Sequence, residues 1–317
     1  MNNFFQLVRN EQMKLYSKVS TWVMVGLLAL FVIGFGAVMK FTGDFTAPPT
    51  GDNWREELQQ QNEQYKKDME EVPEFSQGFI AEQYELNEYR LENDIEPAGY
   101  NAWKFVQENR ANISFVSLFI IIVAAGIIAN EFKWGTIKLL LIRPISRTKI
   151  LFAKYVSVLT FALTLLLSVI VLSFIVGAIL FGLENAGQPF LYYQDETVKE
   201  VPVVQHILTQ YGLSSVNLLM MATFAFMISA IFRNSSLSIG LAIFLMFAGS
   251  SIVAFFSDYS WAKFILFANT DLYQHVYSTP MIDDLTLTFS VIVLCVYFIL
   301  FMAASWLAFT KRDIVNT

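Results

Sequence analysis

The 317-residue chain is 55% apolar and only 15% charged, with 30 phenylalanines, against roughly 25% charged residues in an ordinary soluble domain. Charge this sparse and this clustered cannot cover a soluble surface, so a lipid-facing protein is expected. The formal charge of −6 carries no basic nucleic-acid footprint, the single Cys295 excludes an internal disulfide or a CxxC centre, and two histidines are too few for a histidine-built metal site.

A bilayer core about 30 Å thick requires about 20 apolar helical residues. The first such run is Val19–Met39. A secretory signal is the competing reading, but the basic preface is 18 residues long and no A-x-A site follows, so residues 1–40 are read as an amphipathic start and a retained span.

Residues 41–112 form the one large insertion, with 6 basic and 16 acidic residues. Gly43, Asp44, Pro48 and Pro49 open it, and Pro73 and Pro97 divide it into helical pieces. In the first piece, Trp54, Leu58, Tyr65, Met69 and Val72 fall within about 60° of one another at 100° per residue. In the second, Phe75, Phe79, Leu86 and Tyr89 mark one face, and Ile80, Tyr84, Leu91 and Ile95 mark the opposite one. A helix apolar on two faces is expected to be sandwiched, here between the first piece and either Tyr100–Phe105 or a second copy of the chain.

Residues 113–317 supply five further runs: Ile113–Ala129, Tyr155–Leu183, Leu213–Phe232, Leu237–Phe256 and Leu285–Phe309. The 29 residues of Tyr155–Leu183 reach about 44 Å at 1.5 Å each, so this helix must tilt or extend beyond the bilayer. The fold class is therefore all-α and polytopic, with six transmembrane helices. Between the second and third runs, Trp134, Ile137, Leu140 and Leu141 make an apolar stripe, Arg143-Pro144 ends the helix, and Ser146 caps the next. A short amphipathic helix over 131–147 is expected there, on the inner membrane face. Residues 257–284 mix aromatics with few charges around Pro280, the pattern of a re-entrant or interfacial pair of short helices.

With the N-terminus inside, the inner segments sum to +9 and the outer ones to −15. The positive-inside rule then places both termini in the cytoplasm and the 41–112 domain outside. Catalytic signatures are absent: G-x-x-x-x-G-K-[ST], H-E-x-x-H and G-x-S-x-G do not occur. Ionisable groups are also missing midway through the apolar runs, where ion-coupled transporters carry them.

The order E-x-x-x-G-T-x-K-x-L-L-x-R-P-x-S-R-x-x-I-L-x-x-K, running from Glu131 to Lys154, resembles the loop after the second span in permease subunits of type-2 ABC transporters. Six spans, an amphipathic start (Phe4, Phe5, Leu7, Val8, Leu15), a minimal turn at Arg233–Ser236 and the segment before span six extend the likeness. The large 41–112 domain departs from the shortest family members.

The resemblance implies an exporter permease in the cell membrane of a bacterium, paired with a second identical or related permease. It would be driven by a dimer of cytoplasmic ABC ATPases that bind ATP and Mg. The chain itself would be no enzyme and would hold no cofactor or metal, and nucleic acid is not among its expected partners. Coupling to the ATPase would fall to Glu131, Gly135, Thr136, Lys138, Arg143, Pro144, Ser146 and Arg147, with Glu131, Lys138, Arg143 and Arg147 free to pair with it. The rival reading is a membrane sensor or scaffold whose outer domain binds a peptide. A lipid-modifying enzyme is a third, disfavoured by the lack of clustered acids and histidines.

Overall fold

The computed structural model describes residues 2–42, 51–137, 145–184, 187–194, 197–277, 282 and 285–311. Six helical stretches are long and apolar enough to cross a membrane. They are α2 (Val19–Thr42), the run Ala102–Lys133, α7 (Arg147–Phe181), α8 (Val203–Phe232), α9 (Ser235–Phe256) and α12 (Leu287–Lys311). The Ala102–Lys133 run contains α5 (Ala102–Glu108), a 3-10 turn (Asn109–Asn112) and α6 (Ile113–Lys133). α1 (Asn2–Tyr16) precedes them.

The bundle is built around α6, which is apolar on all sides and buried along most of its length, as such a helix must be. It packs against α7, α8 and α9. Some polar groups within the bundle pair between helices: Ser229 Oγ donates to the Ala125 carbonyl at 2.6 Å and accepts from the Ala129 amide at 3.1 Å. Tyr155 and Thr223 hydroxyls meet at 2.7 Å. Small residues set the closest approaches. A Cβ at Gly177 of α7 would lie 3.0 Å from the Ala102 backbone, so α5 can rest on α7 only over a glycine.

Helix limits differ from the sequence expectation where capping, not hydropathy, decides them. α7 begins eight residues before the expected run, because Ser146 Oγ accepts the Lys149 amide, and it is 35 residues long. α8 begins at Val203, not Leu213, with Pro202 before its first turn. The α8–α9 turn is as short as expected: Arg233 takes a left-handed conformation (φ 54°) and the Asn234 side chain accepts the Leu237 amide. Residues 257–277 contain a 3-10 turn (Ala262–Phe264) and two short helices, α10 (Leu266–Asn269) and α11 (Gln274–Tyr277). Pro280 lies outside the described residues.

The acidic insertion is helical, as expected. α3 (Trp54–Glu71) and α4 (Glu74–Asn93) pack together. On α3, Trp54 and Leu58 are buried and Tyr65, Met69 and Val72 half-buried, so the expected stripe is the packing face.

Besides α3, α4 packs on a β-hairpin of β1 (Phe190–Gln194) and β2 (Thr197–Val201) in place of the expected Tyr100–Phe105, and the residue that reaches the hairpin is Tyr89, of the face marked by Phe79 and Leu86, not Tyr84. Tyr89 donates to Glu200 across this contact at 3.1 Å. Tyr84 lies on the α3 side, its carbonyl 3.5 Å from Asn62 Nδ2 and its ring 5.1 Å from Lys66 Nζ. Ile80, Leu91 and Ile95 are half-buried, while Phe79 is 71% exposed despite its expected place on a packing face. Tyr100 and Phe105 instead meet Phe181 of α7, at 4.6 and 5.5 Å between ring centres.

The two glycines of α9 offer a test of this packing. A Cβ at Gly249 would penetrate the Phe267 ring, whereas one at Gly240 meets nothing within 4 Å. Gly249→Ala is expected to destabilise the protein by about 1–3 kcal/mol through overpacking. Gly240→Ala should be neutral or slightly stabilising through helix propensity. Thermal melting of the two variants in detergent measures the difference.

Candidate functional site

The segment with the resemblance motif starts where α6 ends. The α6 backbone stops at Lys133, Trp134 caps it, and Gly135 turns away at φ +70°, a conformation that favours glycine. Glu131 is therefore the last buried acid of α6 rather than the first residue of a separate helix. It is 9% exposed. The expected single stripe is also divided: Trp134 is 62% exposed and Ile137 only 2%. Lys138, Arg143 and Pro144 lie outside the described residues, as do Leu140 and Leu141.

Glu131 enters a closed network with residues from two other helices. Lys154, in the second turn of α7 and 1% exposed, donates to Glu11 Oε2 at 2.8 Å and to Glu131 Oε1 at 3.0 Å. Lys14 donates to Glu11 Oε1 at 2.8 Å and to Glu131 Oε1 at 3.2 Å. Thr136 donates to Glu131 Oε2. Every oxygen of both carboxylates thus accepts a hydrogen bond, and two anions are balanced by two cations. Burying the ions is unfavourable, and only such complete pairing offsets it.

Burial opposes the charge on Lys14, but the Glu11 and Glu131 carboxylates outweigh it and hold this ammonium above its ordinary range. Its contribution to stability is present through neutral pH and is lost only as pH rises through that raised value. Lys18, just beyond α1, is pushed the other way by burial and by the nearby Lys154 charge. It sits 5.8 Å from the Trp134 ring, beside a cavity of about 370 Å³ also lined by Lys14 and Asn130.

The far end of the segment is held as well. Arg147 Nη1 donates to the Thr310 carbonyl of α12 at 3.0 Å, and Trp306 donates to Thr148 at 3.0 Å. Ser146, exposed, caps α7 as the sequence indicated. The expectation that Glu131 and Arg147 are free for a partner is accordingly corrected: both are engaged within the chain. The residues missed from sequence are Lys154, Glu11 and Lys14. Lys154 was legible in part, as a lone charge whose neighbours Leu151, Phe152, Ala153, Tyr155 and Val156 offer it no carboxylate.

The node links α1, α6 and α7. Gln12 Nε2 also donates to the Ser157 carbonyl at 2.8 Å, so α1 is bound to α7 along more than one turn. What this arrangement does mechanically is fix both roots of residues 134–146: the entry through Glu131–Lys154, and the exit through Arg147–Thr310.

Among the described residues no group of three or more metal-ligating side chains is found. A family model described as "Protein of unknown function (DUF2705)" matches residues 77–315. The chain is similar to "Uncharacterized protein YhcI" of Bacillus subtilis (strain 168), with 46% identity over 98% of this chain and 99% of that protein. It is also similar to "Uncharacterized membrane protein YdbK" of the same organism, with 29% identity over 61% of this chain and 76% of that protein.

Lys154→Met leaves two carboxylates sharing the half-exposed Lys14. It is expected to cost about 3–5 kcal/mol, the cost of breaking a buried pair from one side. The triple variant Lys154→Met with Glu11→Gln and Glu131→Gln removes the stranded charges and should recover most of that loss. Melting temperatures of the single and triple variants in one detergent decide it; equal loss in both would mean that packing at Lys154, not charge, is what matters.

Proposed function

The chain belongs to the DUF2705 family, and on that premise we propose that it is the membrane-spanning permease subunit of an ATP-binding-cassette exporter, driven by separate cytoplasmic ATPase subunits. The observation that carries this reading is the double anchoring of residues 134–146. A soluble ATPase can move membrane helices only through a stiff element at the membrane surface. In this chain the Lys154 node and the Arg147–Thr310 contact tie the two flanks of that segment to α1, α6, α7 and α12. The motif between Glu131 and Lys154 adds the resemblance to coupling segments of type-2 permeases.

Glu131, Thr136 and Arg147 then act as positioning residues that hold the segment. Gly135 provides the turn, and Lys138, Arg143, Pro144 and Ser146 form the docking surface. ATP and Mg are bound by the partner. A second permease completes the path, and the exposed apolar faces of α2 and α9 are turned to lipid or to that copy. Both termini are cytoplasmic and the α3–α4 domain is outside, as the +9/−15 split requires.

Two measurements test this reading. In a Cys295→Ser background, cysteines at Gln61 and Lys149, both exposed, are expected to react from opposite sides of the membrane; labelling of both by an impermeant reagent from outside contradicts the topology. The double substitution Lys138→Ala with Arg143→Ala should weaken ATPase association at least tenfold while the protein still inserts in the membrane, as expected of charges that take part in docking. Undiminished association would remove the segment from the docking surface.

A further inference from the structure

At the end of the bundle away from the Lys154 node, the acidic domain encloses a cavity of about 750 Å³. Its walls are α3, α4, the segment around α5, strand β1 and the α11 region. One face of α4 lines it through Glu82, Gln83, Leu86, Asn87 and Arg90, the i, i+1, i+4, i+5, i+8 spacing of one helical stripe. Opposite stand Tyr273 and Tyr277, whose rings are 4.9 Å apart. Tyr277 in turn packs on Tyr192 of β1 at 5.1 Å.

Among the described residues, two charges on the α4 wall are left without a counter-ion. Among the described residues Arg90 Nη1 is buried and has no hydrogen-bond partner, and neither Arg90 nor Glu82 is in an ion pair. Burial alone displaces each: Glu82 is pushed up and Arg90 is lowered, with no opposite charge acting on either. A guanidinium nitrogen buried without a hydrogen bond is costly unless an acceptor reaches it. The two side chains cannot satisfy each other, because eight residues of helix separate them by about 12 Å.

We infer that this cavity binds a short extended peptide, about four residues long, with its carboxylate on Arg90 and its ammonium on Glu82. Extended chain covers 3.3–3.6 Å per residue, so a peptide of about four residues matches the separation. The guanidinium fork suits a carboxylate in bidentate fashion. Between the charges, Gln83, Asn87 and Gln107 line the wall, and each amide offers both a donor and an acceptor to a peptide backbone. Tyr273 and Tyr277 present apolar ring faces to side chains. A neutral glycan would leave both charges unanswered, and a lipid chain would leave the amides unanswered. The inference does not depend on the ATPase partnership: binding is measured on this chain alone, so either can fail without the other.

The test is calorimetric titration of the full-length protein in lipid nanodiscs. The probes are Phe-Ala-Ala-Phe with free ends, its C-terminal amide, its N-acetyl form, and the dipeptide Phe-Phe. The free tetrapeptide is expected to bind, and each of the other three at least tenfold more weakly. Arg90→Gln should erase the preference for the free acid over the amide, and Glu82→Gln the preference for the free amine over the acetyl form. Should either variant fail to fold, the end-blocked probes on the unaltered protein read the same two contacts. No binding of the free tetrapeptide, or equal affinity for free and end-blocked forms, overturns the inference. So does an Arg90→Gln protein that keeps its preference for the free acid.

Discussion

The structure depends on one buried ammonium. Lys154 is placed by α7 in an otherwise apolar interior, and it is tolerable there only because Glu11 and Glu131 reach it from two other helices. That requirement fixes more than a charge pair. It decides that the N-terminal helix lies on the bundle instead of floating at the membrane surface, and that α6 and α7 keep a set register at this end. It also decides that the segment joining them begins from a rigid root. The second lysine, Lys14, and the hydroxyl of Thr136 complete the bonding of the carboxylates, so every carboxylate oxygen is answered within the chain.

The membrane helices were legible because hydropathy over some 20 residues is a long, redundant signal. The acidic domain was legible for a related reason: the Trp54–Val72 stripe repeats at helical spacing and packs as the spacing demands. What could not be read was pairing between distant segments. Glu131 and Lys154 are separated by 23 residues and Glu11 and Lys154 by 143, and nothing local marks them as partners. Counted as loop charges, all three contributed to the orientation argument and concealed the node. The β-hairpin was missed for a different reason. Phe190-Leu-Tyr-Tyr-Gln194 and Thr197-Val-Lys-Glu-Val201 are only five residues each, and their aromatic face becomes informative only once Phe190 is seen stacked 3.6 Å from His206 and Tyr192 against Tyr277.

The two ends of the molecule divide their chemistry. At the node, every charge is answered from within the chain and the result is stiffness. In the acidic domain, Glu82 and Arg90 line one helix face without an ion-pair partner among the described residues, and Arg90 Nη1 is buried there without a hydrogen bond. α7, 35 residues long, reaches from one to the other, with Lys154 near its start and Phe181 against Tyr100 and Phe105 at its close. A displacement at the node therefore has a single continuous helix along which to reach the domain.

The measurement that bears most directly on the permease reading is purification of the chain from its native membrane in mild detergent, followed by assay of ATP hydrolysis by whatever accompanies it. Expected is a soluble ATPase in stoichiometric amount, with turnover that falls or loses its dependence on the membrane subunit when Lys154→Met is introduced. A chain that purifies intact, with its partners of the native membrane, and brings no nucleotide-hydrolysing activity would contradict that reading.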